Sequence, residues 1–204
     1  MCAKADKIKR YRELNKTAEK HGILFAGSSL MEMFPVEKFA AEQGITVLNR
    51  GIGGFVTQEL IDNLDTCILD LAPRRLFINI GTNDLSIESM PISSVMDNYR
   101  LILQKVRAAI PDIEIFMMAY YPINYEAAAE DMKPCLRIRT NEKIEAANRE
   151  VKKLAEELGA RYIDVNAPLK DSQGRLKAEY TIEGMHIKEE GYRAIYPLLA
   201  PYLA

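Results

Sequence analysis

The sequence is poor in the residue types that metal sites and disulfide frameworks require. It contains 2 histidines, 3 cysteines and no tryptophan in 204 residues. Cys2, Cys67 and Cys135 lack the paired spacing of zinc ligands, and their odd number does not make a disulfide framework. We therefore expect reduced thiols and no metal site, with Cys67 buried because it lies in an apolar helical pattern.

An excess of charge of one sign and long hydrophobic runs are also missing. Lys and Arg number 27 and Asp and Glu 29, for a formal net charge of −2. Without a basic excess, nucleic-acid binding is not expected. The longest apolar runs, such as 115–121, are far shorter than the ~20 residues of a membrane-spanning helix. No apolar block typical of a secretory signal occurs near the start, so a cytoplasmic location is the expectation.

What is present is an alternation of short apolar runs and amphipathic helical patterns. The length fits one domain over 1–204, with a helical segment at 1–20. The predicted strands are 23–26, 46–48, 76–80, 113–119 and 161–165. Helices are predicted at 57–71, from a cap at Ser93 or Ser94 to Ile110, and at 140–158. This order predicts an α/β fold, a three-layer α/β/α sandwich around a five-stranded parallel sheet.

Such sheets bind ligands beyond the carboxyl ends of their strands. Small and polar residues follow four of the predicted strands, at 27–29, 49–54, 81–84 and 121–124. The long irregular stretch 124–137 leaves the same edge and is placed to act as a lid. The sequence therefore predicts the functional site at this edge of the sheet.

Two histidines limit the choice of a catalytic base. His21 precedes the first strand at the opposite edge and is expected on the surface. His186 follows Glu183 by three residues, a spacing at which a turn brings two side chains together.

The candidate nucleophile is Ser29, which follows Gly27 at a strand end. Alone, Ser29 could cap a short helix and Glu183 with His186 could be a surface pair. A serine hydroxyl becomes an effective nucleophile only beside a base, so catalysis requires Ser29 to meet His186.

Acyl transfer also requires hydrogen-bond donors for the oxygen that becomes negative. Three candidates follow three strands: the backbone N–H of Ser29, a backbone N–H within 51–54, and the side-chain amide of Asn83. Each has an ordinary structural explanation as part of a turn. Their common edge favours an oxyanion hole.

Four blocks of the sequence resemble those of the GDSL, or SGNH, hydrolases. They are Gly27-Ser28-Ser29-Leu30, Asn49-Arg50-Gly51-Ile52-Gly53-Gly54, Gly81-Thr82-Asn83-Asp84 and Glu183-Gly184-Met185-His186. The likeness extends from Ile23 to Tyr192. It implies a flavodoxin-like fold and hydrolysis of esters or thioesters without a metal or organic cofactor. By this resemblance Ser29 is the nucleophile and His186 the general base. Gly54 and Asn83 would form the oxyanion hole with the Ser29 amide.

Two positions depart from the family pattern. Ser28 stands where the family has Asp, which removes a charge beside the nucleophile. Glu183 stands where the family has the Asp that orients the histidine, and its extra methylene requires the backbone or rotamer to adjust. We expect Glu183 to orient His186, with Asp84 and Asp164 as the alternatives.

Other nucleotide-binding and hydrolase motifs are incomplete. The glycines at 51–54 lack the third glycine of a dinucleotide fingerprint, because Val56 occupies its place. No phosphate-binding Gly-Lys-Ser/Thr loop occurs, and Met31 replaces the last glycine of a Gly-x-Ser-x-Gly elbow. Substrate contacts are expected from Met31, Phe55, Tyr121 and Asn124, with Met33 also near the site. Packing in the core is the alternative for these apolar side chains.

The sequence thus predicts a serine esterase that hydrolyses short-chain, acetyl-like esters through an acyl-enzyme. The expected partner is a small ester, an acylated sugar or a lipid-like molecule. A thioesterase or lysophospholipase is the alternative within hydrolases, and a catalytically decayed carbohydrate- or lipid-binding relative is the alternative of another class. The oligomeric state stays open, with a homo-oligomer compatible with the sequence.

Overall fold

The computed structural model describes residues 4–203, so the prediction for Cys2 lies outside the described residues. The strands are β1 Ile23–Gly27, β2 Val47–Asn49, β3 Arg75–Asn79, β4 Glu114–Met118 and β5 Arg161–Ile163. The helices are α1 Lys4–Asn15, α2 Ser29–Glu32, α3 Val36–Ala41, α4 Thr57–Asp62, α5 Leu64–Cys67, α6 Ile92–Ala109, α7 Lys133–Ile138, α8 Asn141–Glu157 and α9 Glu189–Leu199.

The five strands form one parallel sheet in the order β2-β1-β3-β4-β5. This confirms the predicted α/β fold and its flavodoxin-like strand order. The order reverses between β1 and β3, and ligand sites in such sheets form at this reversal, beyond the carboxyl ends of the strands. The segments that follow β1 and β3 carry Ser29 and Asn83.

Helices cover both faces of the sheet because successive side chains of each strand point to opposite sides. On one face Leu24, Leu76 and Ile115 pack against α4, α5, α6 and α8. On the other face α2, α3 and α9 cover a stack of three aromatic rings. Phe77 lies between Phe25 and Phe116, with ring centroids 4.7 and 4.5 Å away. Paired positions in neighbouring strands place these rings in register.

The predicted helix 57–71 is wrong as a continuous helix, because it is divided into α4, α5 and a short 3₁₀ turn, Leu69–Leu71. Asn63 lies at the first break, where its side-chain amide donates to the carbonyl of Glu59 at 2.9 Å. Asparagine competes in this way with the backbone hydrogen bonds of a helix. The left-handed conformation of Ala72, with φ of 42°, ends the segment.

The helix starts give one correction and one confirmation. The expected cap at Ser93 or Ser94 is wrong, because α6 begins at Ile92 directly after Pro91, which has the extended conformation. Proline suits this place because its fixed φ and missing N–H cost nothing at a helix start. Thr140 caps α8, and its hydroxyl accepts from the Lys143 N–H at 3.2 Å.

Two predictions about single residues are also confirmed. Cys67 is fully buried in the core beside α4, and burial raises the pKa of its thiol to about 12. His21 is exposed just before β1, at the edge of the sheet opposite to Ser29. Within residues 4–203 no helix has the length and apolar character needed to cross a membrane.

Candidate active site

The sharp turn after β1 presents Ser29 at the edge of the sheet. Gly27 ends the strand with φ of +154°, where a side chain would overlap the carbonyl oxygen of Asn79 and the side chain of Met31. Only glycine fits such a close backbone approach. Ser28 follows in an extended conformation and is buried, and Ser29 is the first residue of α2.

Ser29 and His186 are in hydrogen-bond contact although they lie far apart in the chain. The Ser29 Oγ is 3.0 Å from the His186 Nε2. On the other side of the ring, Nδ1 lies 2.7 Å from the Glu183 Oε1. A hydroxyl, an imidazole and a carboxylate connected in this spatial order activate a serine for nucleophilic attack.

The turn 181–187 accommodates the longer side chain of Glu183. Its carboxylate folds back over the turn and accepts from the backbone N–H of His186 at 3.1 Å as well as from the ring. The Thr181 hydroxyl accepts from the Gly184 N–H at 2.8 Å and closes the turn. Burial raises the pKa of Glu183, but the hydrogen bonds and charge of His186 outweigh burial and lower it overall.

The two alternative carboxylates contact other groups. Asp84 accepts from the Thr57 hydroxyl at 2.5 Å and from the Thr57 N–H at 3.0 Å. Asp164 is exposed and accepts from the Asn166 N–H at 2.9 Å. Glu183 is therefore the carboxylate that the structure brings to the His186 ring.

The three expected oxyanion donors line one cleft with Ser29 and His186. In the described part of the chain, neither the Ser29 N–H nor the Gly54 N–H has a hydrogen-bond acceptor. The Asn83 amide donates to the Phe55 carbonyl at 2.9 Å, which orients it and leaves its second hydrogen available. Gly54 has φ of +78°, a conformation that glycine adopts at little cost. We call residues 50–54 the oxyanion loop.

The cleft has a volume of about 850 Å³. One wall is apolar and is formed by Met33, Met132 and Ile182. Met33 and Ile182 are 40% and 54% exposed, so this wall presents apolar surface to the cleft. No group of three or more His, Cys, Asp or Glu among the described residues is arranged to hold a metal ion.

Part of the predicted lid forms the same wall. Ala129, Asp131 and Met132 of the stretch 124–137 line the cleft, and α7 follows them directly. The Ala129 N–H donates to the Glu183 carbonyl at 3.3 Å. This contact connects the stretch to the turn that carries His186.

The four expected substrate contacts are corrected by the structure. Met31, Phe55, Tyr121 and Asn124 are each at most 4% exposed, and none of them lines the cleft. Met31 follows Ser29 by two residues, which places it on the opposite side of a helical turn. Met33 follows by four residues and shares the side of Ser29.

The other three corrections also have structural reasons. Phe55 packs below the oxyanion loop, and Tyr121 packs edge to face on Tyr192 at 6.4 Å. Asn124 organises the base of the site, because its backbone N–H donates to the Gly184 carbonyl at 2.7 Å. Its side-chain amide donates to the Leu176 carbonyl, also at 2.7 Å.

Sequence reasoning missed several residues that line the cleft, among them Lys4, Lys7 and Glu32. Glu32 follows Ser29 by three residues, so helical periodicity could have identified it. Lys4 and Lys7 carry no such signal, because only tertiary packing brings α1 to the cleft.

Comparisons with known proteins identify the family of the chain. Residues 27–194 match the model of the GDSL-like Lipase/Acylhydrolase family. A comparison with curated proteins gave no match.

Solved structures of similar proteins share the fold. A Streptococcus pneumonia protein provisionally described as a platelet activating factor is 33% identical, with a TM-score of 0.87 over 98% of this chain and 92% of that chain. A GDSL-like lipase from Bacteroides thetaiotaomicron is 20% identical, with a TM-score of 0.79 over 96% of each chain. The acetylxylan esterase Axe2 from Geobacillus stearothermophilus is 15% identical, with a TM-score of 0.68 over 91% of this chain and 95% of that chain.

The family match covers most of the chain, from the glycine before Ser29 to beyond His186. It confirms the resemblance drawn from the four sequence blocks. The chain therefore belongs to the GDSL-like lipase/acylhydrolase family and is an ester hydrolase of this type.

Proposed function

We propose that this hydrolase is a serine esterase that cleaves short-chain carboxylic esters through an acyl-enzyme on Ser29. The observation that carries the proposal is the 3.0 Å contact between the Ser29 Oγ and the His186 Nε2. A decayed binding protein would have no reason to retain this contact together with an oriented imidazole and unoccupied backbone donors. These features favour catalysis.

In the first half of the reaction, the Ser29 Oγ attacks the ester carbonyl carbon. With Nδ1 protonated and donating to Glu183, Nε2 has a free lone pair and takes the hydroxyl proton as the new C–O bond forms. The carbonyl oxygen becomes negative and is stabilised by the Ser29 and Gly54 N–H groups and the Asn83 amide. Collapse breaks the bond to the alcohol, which leaves with the proton from Nε2.

In the second half, water replaces the alcohol. His186 removes a proton from water, and the resulting oxygen attacks the acyl carbon. A second tetrahedral intermediate forms on the same donors. Its collapse breaks the bond to Ser29, which recovers the proton from Nε2, and releases the carboxylic acid.

Glu183 orients the ring in this mechanism. Its carboxylate selects the tautomer with hydrogen on Nδ1 and stabilises the imidazolium that forms during each attack. The lowered pKa of Glu183, in which His186 hydrogen bonds outweigh burial, means that the carboxylate stays charged at neutral pH.

A short acyl group is the first choice of substrate. This choice is supported by a solved neighbour with the same fold, which is an acetylxylan esterase. The second candidate is a longer-chain ester such as a lysophospholipid, favoured by the exposed apolar side chains of Met33 and Ile182. These side chains would pack against the alkyl chain of a long acyl group, which an acetyl group lacks.

Labelling with a fluorophosphonate tests the proposal, because covalent labelling requires an activated hydroxyl. We expect stoichiometric labelling of Ser29 and cleavage of p-nitrophenyl acetate that is lost in parallel. A binding protein would remain unlabelled. A panel of p-nitrophenyl esters, acetylated sugars, acyl-CoAs and lysophospholipids then separates the esterase from the thioesterase and lysophospholipase.

A further inference from the structure

A polar stripe along α1 holds the oxyanion loop from one end to the other. The stripe consists of Lys4, Lys7, Tyr11 and Asn15. These positions are three or four residues apart, so they share one side of the helix. We call the four residues the N-terminal strap. Helix α1 lies outside the residues that match the family model, which begin at Gly27.

At the first end of the strap, Lys4 holds the residue that supplies an oxyanion donor. Its ammonium donates to the Gly54 carbonyl at 2.8 Å and to the Glu59 carboxylate at 2.7 Å. Glu59 in turn accepts from the Val56 N–H at 3.0 Å. The backbone on both sides of Phe55 is thus attached to one ion pair.

Next along the strap, Lys7 acts through Glu32. The Gly53 N–H donates to the Glu32 carboxylate at 2.6 Å, and the Lys7 ammonium forms an ion pair with the same carboxylate. Glu32 lies one turn after Ser29 in α2. This carboxylate therefore connects the oxyanion loop to the helix that carries the nucleophile.

At the far end, two residues hold the start of the loop. The Tyr11 hydroxyl donates to the Gly51 carbonyl at 2.8 Å. The buried Arg50 donates to the Asn15 side chain at 2.9 Å, and its guanidinium lies over the Tyr11 ring at 5.0 Å. Burial raises the pKa of Tyr11 to about 12, which keeps its hydroxyl protonated as a donor.

Helix α1 is attached by these polar contacts more than by a hydrophobic face. Asn15 is the one residue of α1 that is buried, and Ile8 and Tyr11 are its partly buried apolar contacts with the core. A helix whose role was to cover the core would present a wider apolar stripe. Its sequence is instead suited to contact with the loop.

We propose that the N-terminal strap and Glu32 are positioning residues that keep the Gly54 N–H at the oxyanion site. This inference depends on the proposed esterase function. Three of the five residues of the loop are glycines, whose backbone freedom must be restricted before reaction. Donors aimed at a developing charge are effective only when their position is set in advance.

The test is the turnover of Glu32→Ala and Lys7→Met on p-nitrophenyl acetate, with kcat calculated per site labelled by a fluorophosphonate. Loss of one oxyanion donor lowers turnover by about 10²–10³-fold. A loosened loop keeps the donor but positions it less well, so we expect a smaller loss of turnover. We expect kcat to fall about 10–100-fold with KM within about threefold. Glu32→Gln keeps a carbonyl acceptor for the Gly53 N–H and should recover part of this loss.

Two further variants, one a control and one an alternative test, separate an effect on catalysis from an effect on folding. Lys9→Met changes an exposed lysine on another side of α1 and should leave kcat unchanged. Tyr11→Phe removes one hydroxyl and keeps the ring beneath Arg50, so it carries the test if Glu32→Ala does not fold. A merely structural role would lower the melting temperature and the labelled fraction but not the kcat per labelled site.

Binding of a trifluoromethyl ketone gives a second readout, because its tetrahedral adduct with serine places an oxyanion on the same donors. The strap variants should weaken its inhibition in proportion to their loss of kcat. Unchanged kcat per labelled site and unchanged inhibition in an active enzyme would overturn the strap inference alone. A wild-type protein that is neither labelled nor active would overturn the proposed function itself.

Discussion

A single carboxylate oxygen of Glu183 accepts from both the ring Nδ1 and the backbone N–H of His186, at 2.7 and 3.1 Å. An aspartate is shorter by one methylene and would reach the ring from a different backbone geometry. The turn closed by Thr181 brings the longer side chain back over the residue it orients. The substitution therefore preserves the contact that the mechanism requires.

Replacement of neighbouring serines distinguishes the nucleophile from its surroundings. Ser29→Ala should reduce p-nitrophenyl acetate hydrolysis by about 10⁶-fold, to background, because within the described residues no other hydroxyl contacts the His186 ring. Ser28→Ala is the matched control. Its buried hydroxyl has no partner among the described residues, so this variant should retain most activity. If Ser29→Ala retained most of the wild-type activity, as Ser28→Ala should, Ser29 would be excluded as the nucleophile.

Removing the charge of Glu183 tests its role in orienting His186. In Glu183→Gln we expect turnover to fall by up to about 10⁴-fold, as in a protease triad with an amide in place of its carboxylate. Glu179→Gln alters an exposed carboxylate and should leave turnover unchanged. A full rate in Glu183→Gln would contradict the assignment.

The lowered pKa of Glu183 predicts a pH dependence of stability. Burial opposes the shift, but His186 hydrogen bonds and charge keep the folded-state pKa below the unfolded one. The stabilisation is therefore present above the ordinary carboxyl pKa of about 4.3 and is lost as the pH falls through the lower folded-state value. Melting temperatures of wild type and Glu183→Gln should converge as the pH is lowered from neutral to about 3. A constant difference over this range would disprove the linkage.

The apolar wall of the cleft predicts a contribution to the binding of longer acyl chains that is separable from catalysis. Ile182→Ser should lower kcat/KM for p-nitrophenyl octanoate by about tenfold, since burying an alkyl chain against this side chain contributes ~1–3 kcal/mol. Hydrolysis of the acetate ester should change little. Leu198→Ser is the control, because Leu198 is similarly exposed but lies on α9 away from the cleft. Equal losses on both esters would argue against an alkyl site at Ile182.

The sequence predicted the sheet well because its strands are continuous apolar runs buried on both faces, a pattern that depends on local composition. It predicted the helix 57–71 poorly because the side chain of Asn63 competes with the backbone inside an otherwise helical pattern. Spacing also identified the pair Glu183 and His186, which are neighbours along a turn. It misplaced Met31 because adjacency to Ser29 in the chain does not specify the side of the helix.

What the sequence alone determined, then, is the local chemistry: the apolar strands, the glycine after which the chain turns, and the four blocks that carry the site. Tertiary structure decided which of these groups meet. Ser29 and His186 are 157 positions apart, and only the tertiary packing of the chain brings their side chains into contact. The same is true of Lys4 and Lys7, which reach the oxyanion loop only because α1 packs beside it. Such contacts are set by the free energy of the whole packed chain, and no local pattern encodes them.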